Sequence, residues 1–114
     1  MEQTVHKLKL NPVSFEQIKE GSKKIEVRLY DEKRRKIKLG DSIEFSKEPD
    51  MTDKIRTEVV GLLRYRTFSD LVKDYPSSWF GSEDEKCLLE KIYSFYTHKS
   101  EDQFGVIGIR VRII

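Results

Sequence analysis

Gly21-Ser22-Lys23-Lys24-Ile25-Glu26-Val27-Arg28-Leu29-Tyr30 decides how this chain is read. A helix that stops at Gly21 is followed at once by a strand. Ile25, Val27 and Leu29 alternate with Glu26, Arg28 and Tyr30, and successive side chains on a strand point to opposite faces. One face therefore belongs to a core. The other carries Glu26 and Arg28, with Lys23 in the turn just before them. Three charges converge where a helix ends and a strand begins. Two readings are open: a solvated ion-pair face, worth little stability, or the floor of a pocket. In a pocket, a lysine near an arginine gives up its proton more easily and can serve as base or nucleophile. A glutamate beside two cations stays ionised and can orient water or accept from a base amino group. Arg28 can fork onto a phosphate or a carbonyl.

Upstream, Val5 to Leu10 alternates as a half-buried strand. Asn11-Pro12 then starts a helix, Asn as the cap and Pro at the first position, where its missing N–H costs nothing. Val13, Phe15 and Ile18 are expected on its buried face, and Gly21 in the left-handed position past its end. Downstream, residues 31–38 are mostly basic, either a solvated loop or an edge that touches phosphate. Leu39-Gly40-Asp41 is a turn, Ser42 to Ser46 a strand burying Ile43 and Phe45, and residues 47–54 a surface loop.

Residues 55–68 form the longest extended pattern, with Gly61 marking a bulge or bend. Arg56, Arg64 and Arg66 project from it. A short helix over 68–75, capped by Thr67 or Ser69, ends at Pro76. Trp79 and Phe80 follow in a loop, packed over a core edge or free to stack a ligand. Ser82-Glu83-Asp84-Glu85 opens a helix with an apolar stripe of Leu88, Leu89, Ile92, Phe95 and Tyr96. A polar link over 97–103 leads to a closing strand, residues 104–113, with Ile107, Ile109, Val111 and Ile113 on one side. Five or six strands with three short helices, not in regular alternation, give an α+β fold. The mid-strand glycine and terminal strand favour a small curled sheet or barrel.

The 114 residues suit a single domain over 1–114. A net charge of +2 excludes tight nucleic-acid binding through the overall field, so any such binding needs a local patch. One cysteine allows no internal disulfide and fits a reducing cytosol. No apolar run approaches the ~20 residues that span a bilayer, and the N-terminus lacks a signal-peptide core. The expectation is a cytoplasmic protein with no membrane partner. His6, His98 and Cys87 do not share zinc-site spacing, so no metal is expected. Both histidines read as surface side chains and Cys87 as a buried or half-buried spectator thiol. There is no nucleophile elbow, phosphate loop or dinucleotide glycine pattern, and no cofactor is expected.

Residues 21–28 match the G-x-K-x-x-E-x-R signature, and the chain resembles the ASCH (activating signal cointegrator homology) domain of the PUA-like superfamily. The strand and helix before the signature, the Gly40-Asp41 turn with Ile43-Glu44-Phe45, and the close at residues 104–109 resemble it too, so nearly the whole chain is covered. The resemblance implies a small PUA-like β-barrel flanked by helices, with a cleft where the signature Lys, Glu and Arg meet. It also implies binding of RNA or a modified nucleoside. Lys23, Glu26 and Arg28 would form the pocket floor, and Tyr93 and Tyr96 would wall the cleft and stack a base, Tyr96 first, or else both belong to the helix core. Arg34, Arg35, Arg64 and Arg66 are the candidates for phosphate contact. Some small ASCH proteins resemble hydrolases: amidohydrolases acting on N4-acetylcytidine, or ribonucleases. Lys23 and Glu26 would then be catalytic. The amidohydrolases carry threonine at the position of Glu26, and their further glutamate falls loosely near Asp84 or Glu85. A third reading is an interaction module with a merely solvated charged strand.

Overall fold

The computed structural model describes residues 4–114. Their strands form a five-stranded sheet in the order β1-β3-β4-β5-β2. In chain order these are β1 (Val5–Leu10), β2 (Ile25–Leu29), β3 (Ser42–Lys47), β4 (Lys54–Tyr65) and β5 (Val106–Ile113). β1 runs parallel to β3, and every other neighbouring pair is antiparallel. The helices are α1 (Pro12–Lys19), α2 (Glu32–Arg35), α3 (Phe68–Val72), α4 (Glu85–Phe95) and α5 (His98–Phe104), with a 3-10 turn at Ser77–Phe80. This is the expected α+β, PUA-like architecture, its sheet curled into a half-barrel.

The bend lies where the sequence predicts it. Val59 pairs with Val111 and Gly61 with Arg110, so Val60 is one extra residue on β4. A Cβ at Gly61 would lie 3.1 Å from that of Arg110, a tight contact that a glycine at the bulge avoids.

Both sides of the sheet carry a core. On the inner side Ile107, Ile109 and Val111 of β5 meet Leu8, Leu10, Phe15, Ile43 and Phe45. On the outer side Val106 and Ile25 pack with Phe68, Leu71, Leu88 and Ile92 from α3 and α4. Local signals set the helix starts. The Asn11 side chain accepts the Ser14 N–H at 2.9 Å, with Pro12 at the first position. Asp31, Thr67, Asp84 and Thr97 cap α2 to α5 in the same manner. Gly21 takes φ +86°, the left-handed conformation expected of it.

Several expectations are corrected. Val13 is exposed, and the buried face of α1 is Ser14, Phe15 and Ile18. Residues 32–35 are a helix, not a loop, because Asp31 caps them. Phe95 and Ile113 are exposed, and Tyr96 lies just past α4 in extended backbone. The polar link contains α5, tied down by a buried Glu101. His6 is not a surface side chain, since its Nε2 lies 2.8 Å from Asp41 Oδ2. Cys87 is exposed, not buried or half-buried, and its hydrogen bond to Asp84 raises the thiol pKa, which disfavours the thiolate.

Candidate functional site

β1 and β2 are the free edges of the half-barrel, and the site lies in the seam between them. Pairing sets its direction. Glu26 stands opposite Ile109 and Arg28 opposite Ile107, and directly opposed residues share a face. The two charges therefore point to the inner side, beside core isoleucines. Arg28 then spans the seam, its Nη2 donating to the Lys9 carbonyl of β1 at 2.7 Å. A side chain bridges the gap that a fifth strand pairing, β1 with β2, would close in a full barrel.

Lys23 arrives from the turn after α1. That turn is fixed by the Lys23 N–H donating to the Gln17 carbonyl (3.1 Å) and the Lys24 N–H to the Trp79 carbonyl (2.7 Å). Lys23 Nζ lies 2.9 Å from Glu26 Oε1 and donates to Ser14 Oγ at 3.2 Å. Glu26 Oε2 accepts from Arg28 Nε at 2.8 Å and lies 2.8 Å from Arg28 Nη2. The three side chains are 10%, 7% and 14% exposed. The solvated-face reading of this strand is thereby excluded.

Burial makes the arrangement costly. Each ion taken from water loses several kcal/mol of hydration, recovered only through good pairing. Here one carboxylate serves two cations, so the site keeps an excess of positive charge. Burial alone would raise the Glu26 pKa, but the charges of Lys23 and Arg28 outweigh it and hold the carboxyl below its ordinary 4.5. For Arg28 burial acts to lower the pKa, and the Glu26 charge prevails and raises it. Burial, with a smaller push from Glu26, raises the Tyr96 pKa against the pull of Arg28, so this phenol is neutral at physiological pH. The sign for Glu26 gives a test. A depressed folded pKa contributes stability that is present above 4.5 and lost as pH falls through the folded value. Thermal melts should show no contribution from Glu26 to pH dependence between about 6 and 8. Below its ordinary pKa the wild type should lose stability more steeply than Glu26→Gln.

The network floors an open cavity of about 460 Å³, within the roughly 300–1,000 Å³ of small-ligand sites. Ser14 joins Lys23, Glu26 and Arg28 on the floor. Leu88 and Ile92 of α4, with Val27 and Phe80, supply an apolar wall, and Tyr96 and Phe95 also line the cavity. One face of the Tyr96 ring rests on Phe68, centroids 5.3 Å apart and planes 27° from parallel. Lys9, Lys91 and Glu48 complete the charged lining.

The other predicted residues divide. Tyr93 is turned away, its hydroxyl donating to Glu101 at 2.6 Å and its ring stacked on His98. Arg34 lines a neighbouring cavity that also includes Arg28. Arg35 and Arg64 lie over the Tyr30 ring at 4.9 and 4.3 Å, and with Arg66 they line a separate depression that shares no residue with the main cavity. Asp84 and Glu85 are exposed at the start of α4 and do not line the cavity. The second carboxylate there is Glu48, held by its N–H donating to the Leu10 carbonyl at 2.8 Å. Glu48 was hidden in a polar loop with no pattern, and Ser14 among the helix-start signals. Among the described residues no group of three or more His, Cys, Asp or Glu gathers as for a metal. None of their helices is long and apolar enough to cross a membrane.

Comparison with known proteins gives the same geometry a family context. The ASCH domain model matches residues 8–114. A crystal structure of the hypothetical protein PH0355 superposes with a TM-score of 0.86 at 31% identity, covering 97% of this chain and 100% of that one. The solution structure of protein PF0455 from Pyrococcus furiosus gives 0.74 at 27% identity, covering 97% and 98%. The crystal structure of ASCH from Zymomonas mobilis gives 0.58 at 12% identity, covering 97% and 68%, a likeness of fold. A comparison with curated proteins found no match.

Proposed function

The chain belongs to the ASCH domain family, and from that premise we propose that it binds RNA or a modified nucleoside in the seam cavity. One observation carries the reading: a buried Lys23–Glu26–Arg28 network with surplus positive charge at the base of an open cavity. A folding core gains little from buried ions that apolar residues could replace. A ligand with carbonyl oxygens and ring nitrogens gains donors that are already oriented. The apolar wall accepts a base edge, and Tyr96, braced from behind by Phe68, offers a ring for stacking, worth about 1–3 kcal/mol per base.

The test is calorimetric titration with the four ribonucleosides, N4-acetylcytidine and a short single-stranded RNA. Wild-type protein should bind at least one of them. Arg28→Ala should weaken that binding tenfold or more, and Tyr96→Leu roughly tenfold. Unchanged affinity in both Arg28→Ala and Lys23→Ala would remove the cavity from the reading.

A second reading is hydrolysis of an acylated nucleoside such as N4-acetylcytidine, or cleavage of RNA, with Lys23 as base or nucleophile. Lys23 Nζ lying 3.2 Å from the buried Ser14 hydroxyl favours it. Both oxygens of Glu26 are already engaged by cations, which suits positioning better than activation of water. Binding is therefore the stronger reading. Turnover of N4-acetylcytidine that disappears in Lys23→Ala would reverse that order.

A further inference from the structure

We propose that the ligand carries a phosphate ester, held in a basic groove that adjoins the seam cavity along the free edge of β1. The inference rests on the binding reading above and deepens it, from a nucleoside to a phosphorylated one. The groove has a volume of about 330 Å³ and is lined by Lys7, Lys9, Arg28, Lys33 and Arg34, with no carboxylate among its lining residues. It shares Lys9 and Arg28 with the main cavity, so the two spaces adjoin at that pair, and a ligand with its base in one can set a phosphate against Arg28 from the other.

The edge of β1 explains how the cations come to line up. This strand pairs with β3 on one side only, which leaves outward carbonyls on the other. Lys33 Nζ donates to the Lys7 carbonyl at 3.0 Å and Arg28 Nη2 to the Lys9 carbonyl at 2.7 Å. Two positive side chains thus take the place of a neighbouring strand, two residues or about 6.6 Å apart along it. Like charges in a row repel. Lys33 has its pKa lowered, first by desolvation and then by the charges of Arg34 and Arg28. A bound anion would relieve that repulsion. Arg34 adds a further sign: its Nη1 bonds Asp31 at 2.9 Å, while its buried Nε has no partner among the described residues. A phosphate oxygen in the groove would give this arginine the acceptor it lacks.

The other basic places fit less well. The depression around Arg35, Arg64 and Arg66 shares no residue with the main cavity, and two of its arginines lie over Tyr30. The groove beside Lys24, Arg110 and Arg112 includes Glu20, and Arg112 is paired with Glu58 at 2.7 Å.

The experiment compares each ribonucleoside with its 5′- and 3′-monophosphate, and with a trinucleotide, by calorimetry at several salt concentrations. At least one monophosphate should bind tenfold or more tighter than its nucleoside, and more steeply with falling salt. Lys33→Ala and Arg34→Ala should each erase most of that gain while leaving nucleoside affinity unchanged. Arg35→Ala and Arg64→Ala should retain it. Lys33 is exposed, so its variant remains informative if Arg34→Ala loses helix α2. A free nucleotide as ligand gives the whole gain with the monophosphate, and an RNA strand gives a further gain with the trinucleotide. Equal affinity for nucleosides and monophosphates overturns the phosphate groove and leaves the base pocket standing. No binding of any probe overturns both.

Discussion

Glu26→Ala should destabilise the protein by about 3–5 kcal/mol in chemical denaturation, although it removes only one small acidic side chain. The reason is what remains. Lys23 and Arg28 are 10% and 14% exposed, and without Glu26 they face each other across a small space with no counter-ion. Glu26→Gln should cost less, since the amide oxygen still accepts one hydrogen bond, yet the charge that balances the cations is gone. A triple variant separates stability from binding. Lys23→Met, Glu26→Gln and Arg28→Met together leave no orphaned charge, so stability should return to within about 1 kcal/mol of wild type. Nucleoside binding should be absent. A Glu26→Ala cost below about 1 kcal/mol, in the range of exposed pairs, would mean the network is hydrated in solution and the pocket reading fails with it.

The strands were legible because their apolar residues alternate. Ile43 and Phe45 of β3, and Ile107, Ile109 and Val111 of β5, are buried as the period of two requires. Gly61 marked the bulge that curls the sheet. The signature residues were legible as a cluster, but not their depth. From Ile25, Val27 and Leu29 alone, one face of β2 reads as core and the other as open to water. That Glu26 and Arg28 point at Ile109 and Ile107 depends on β5, some eighty residues away. Glu48 was illegible for a related reason: a polar loop places it in the cavity through a single backbone bond to Leu10. The four arginines were grouped by charge, and the fold separates them. Arg34 goes beside the seam, and the other three gather around Tyr30.

Helix α5 was missed because Thr97-His98-Lys99-Ser100-Glu101-Asp102-Gln103 has no apolar period to read, and what holds it is one buried carboxylate. Glu101 Oε2 accepts the Phe68 N–H at 2.7 Å and the Tyr93 hydroxyl at 2.6 Å, while Oε1 lies 3.4 Å from the exposed His98. The Phe68 N–H belongs to the first turn of α3, where no helical carbonyl can reach it, and the Phe68 ring is fully buried. Glu101 thus joins α3, α4 and α5 at one point. Glu101→Ala should cost about 3 kcal/mol, because it strands a buried backbone donor and a tyrosine hydroxyl at about 1–3 kcal/mol each. Glu101→Gln keeps an acceptor of the same shape and should cost about 1 kcal/mol, the difference between a charged and a neutral hydrogen bond. His98→Ala should cost little, since its ring is open to water. Amide exchange should place the loss, with Phe68 and α5 exposed early in Glu101→Ala and the β3–β4 ladder still protected. The consequence reaches the site, because Phe68 is the surface on which Tyr96 rests. Nucleoside affinity should therefore fall in Glu101→Ala by a factor similar to Tyr96→Leu, although Glu101 is not among the cavity's lining residues. Unchanged affinity in a folded Glu101→Ala protein would show that Tyr96 does not depend on this brace.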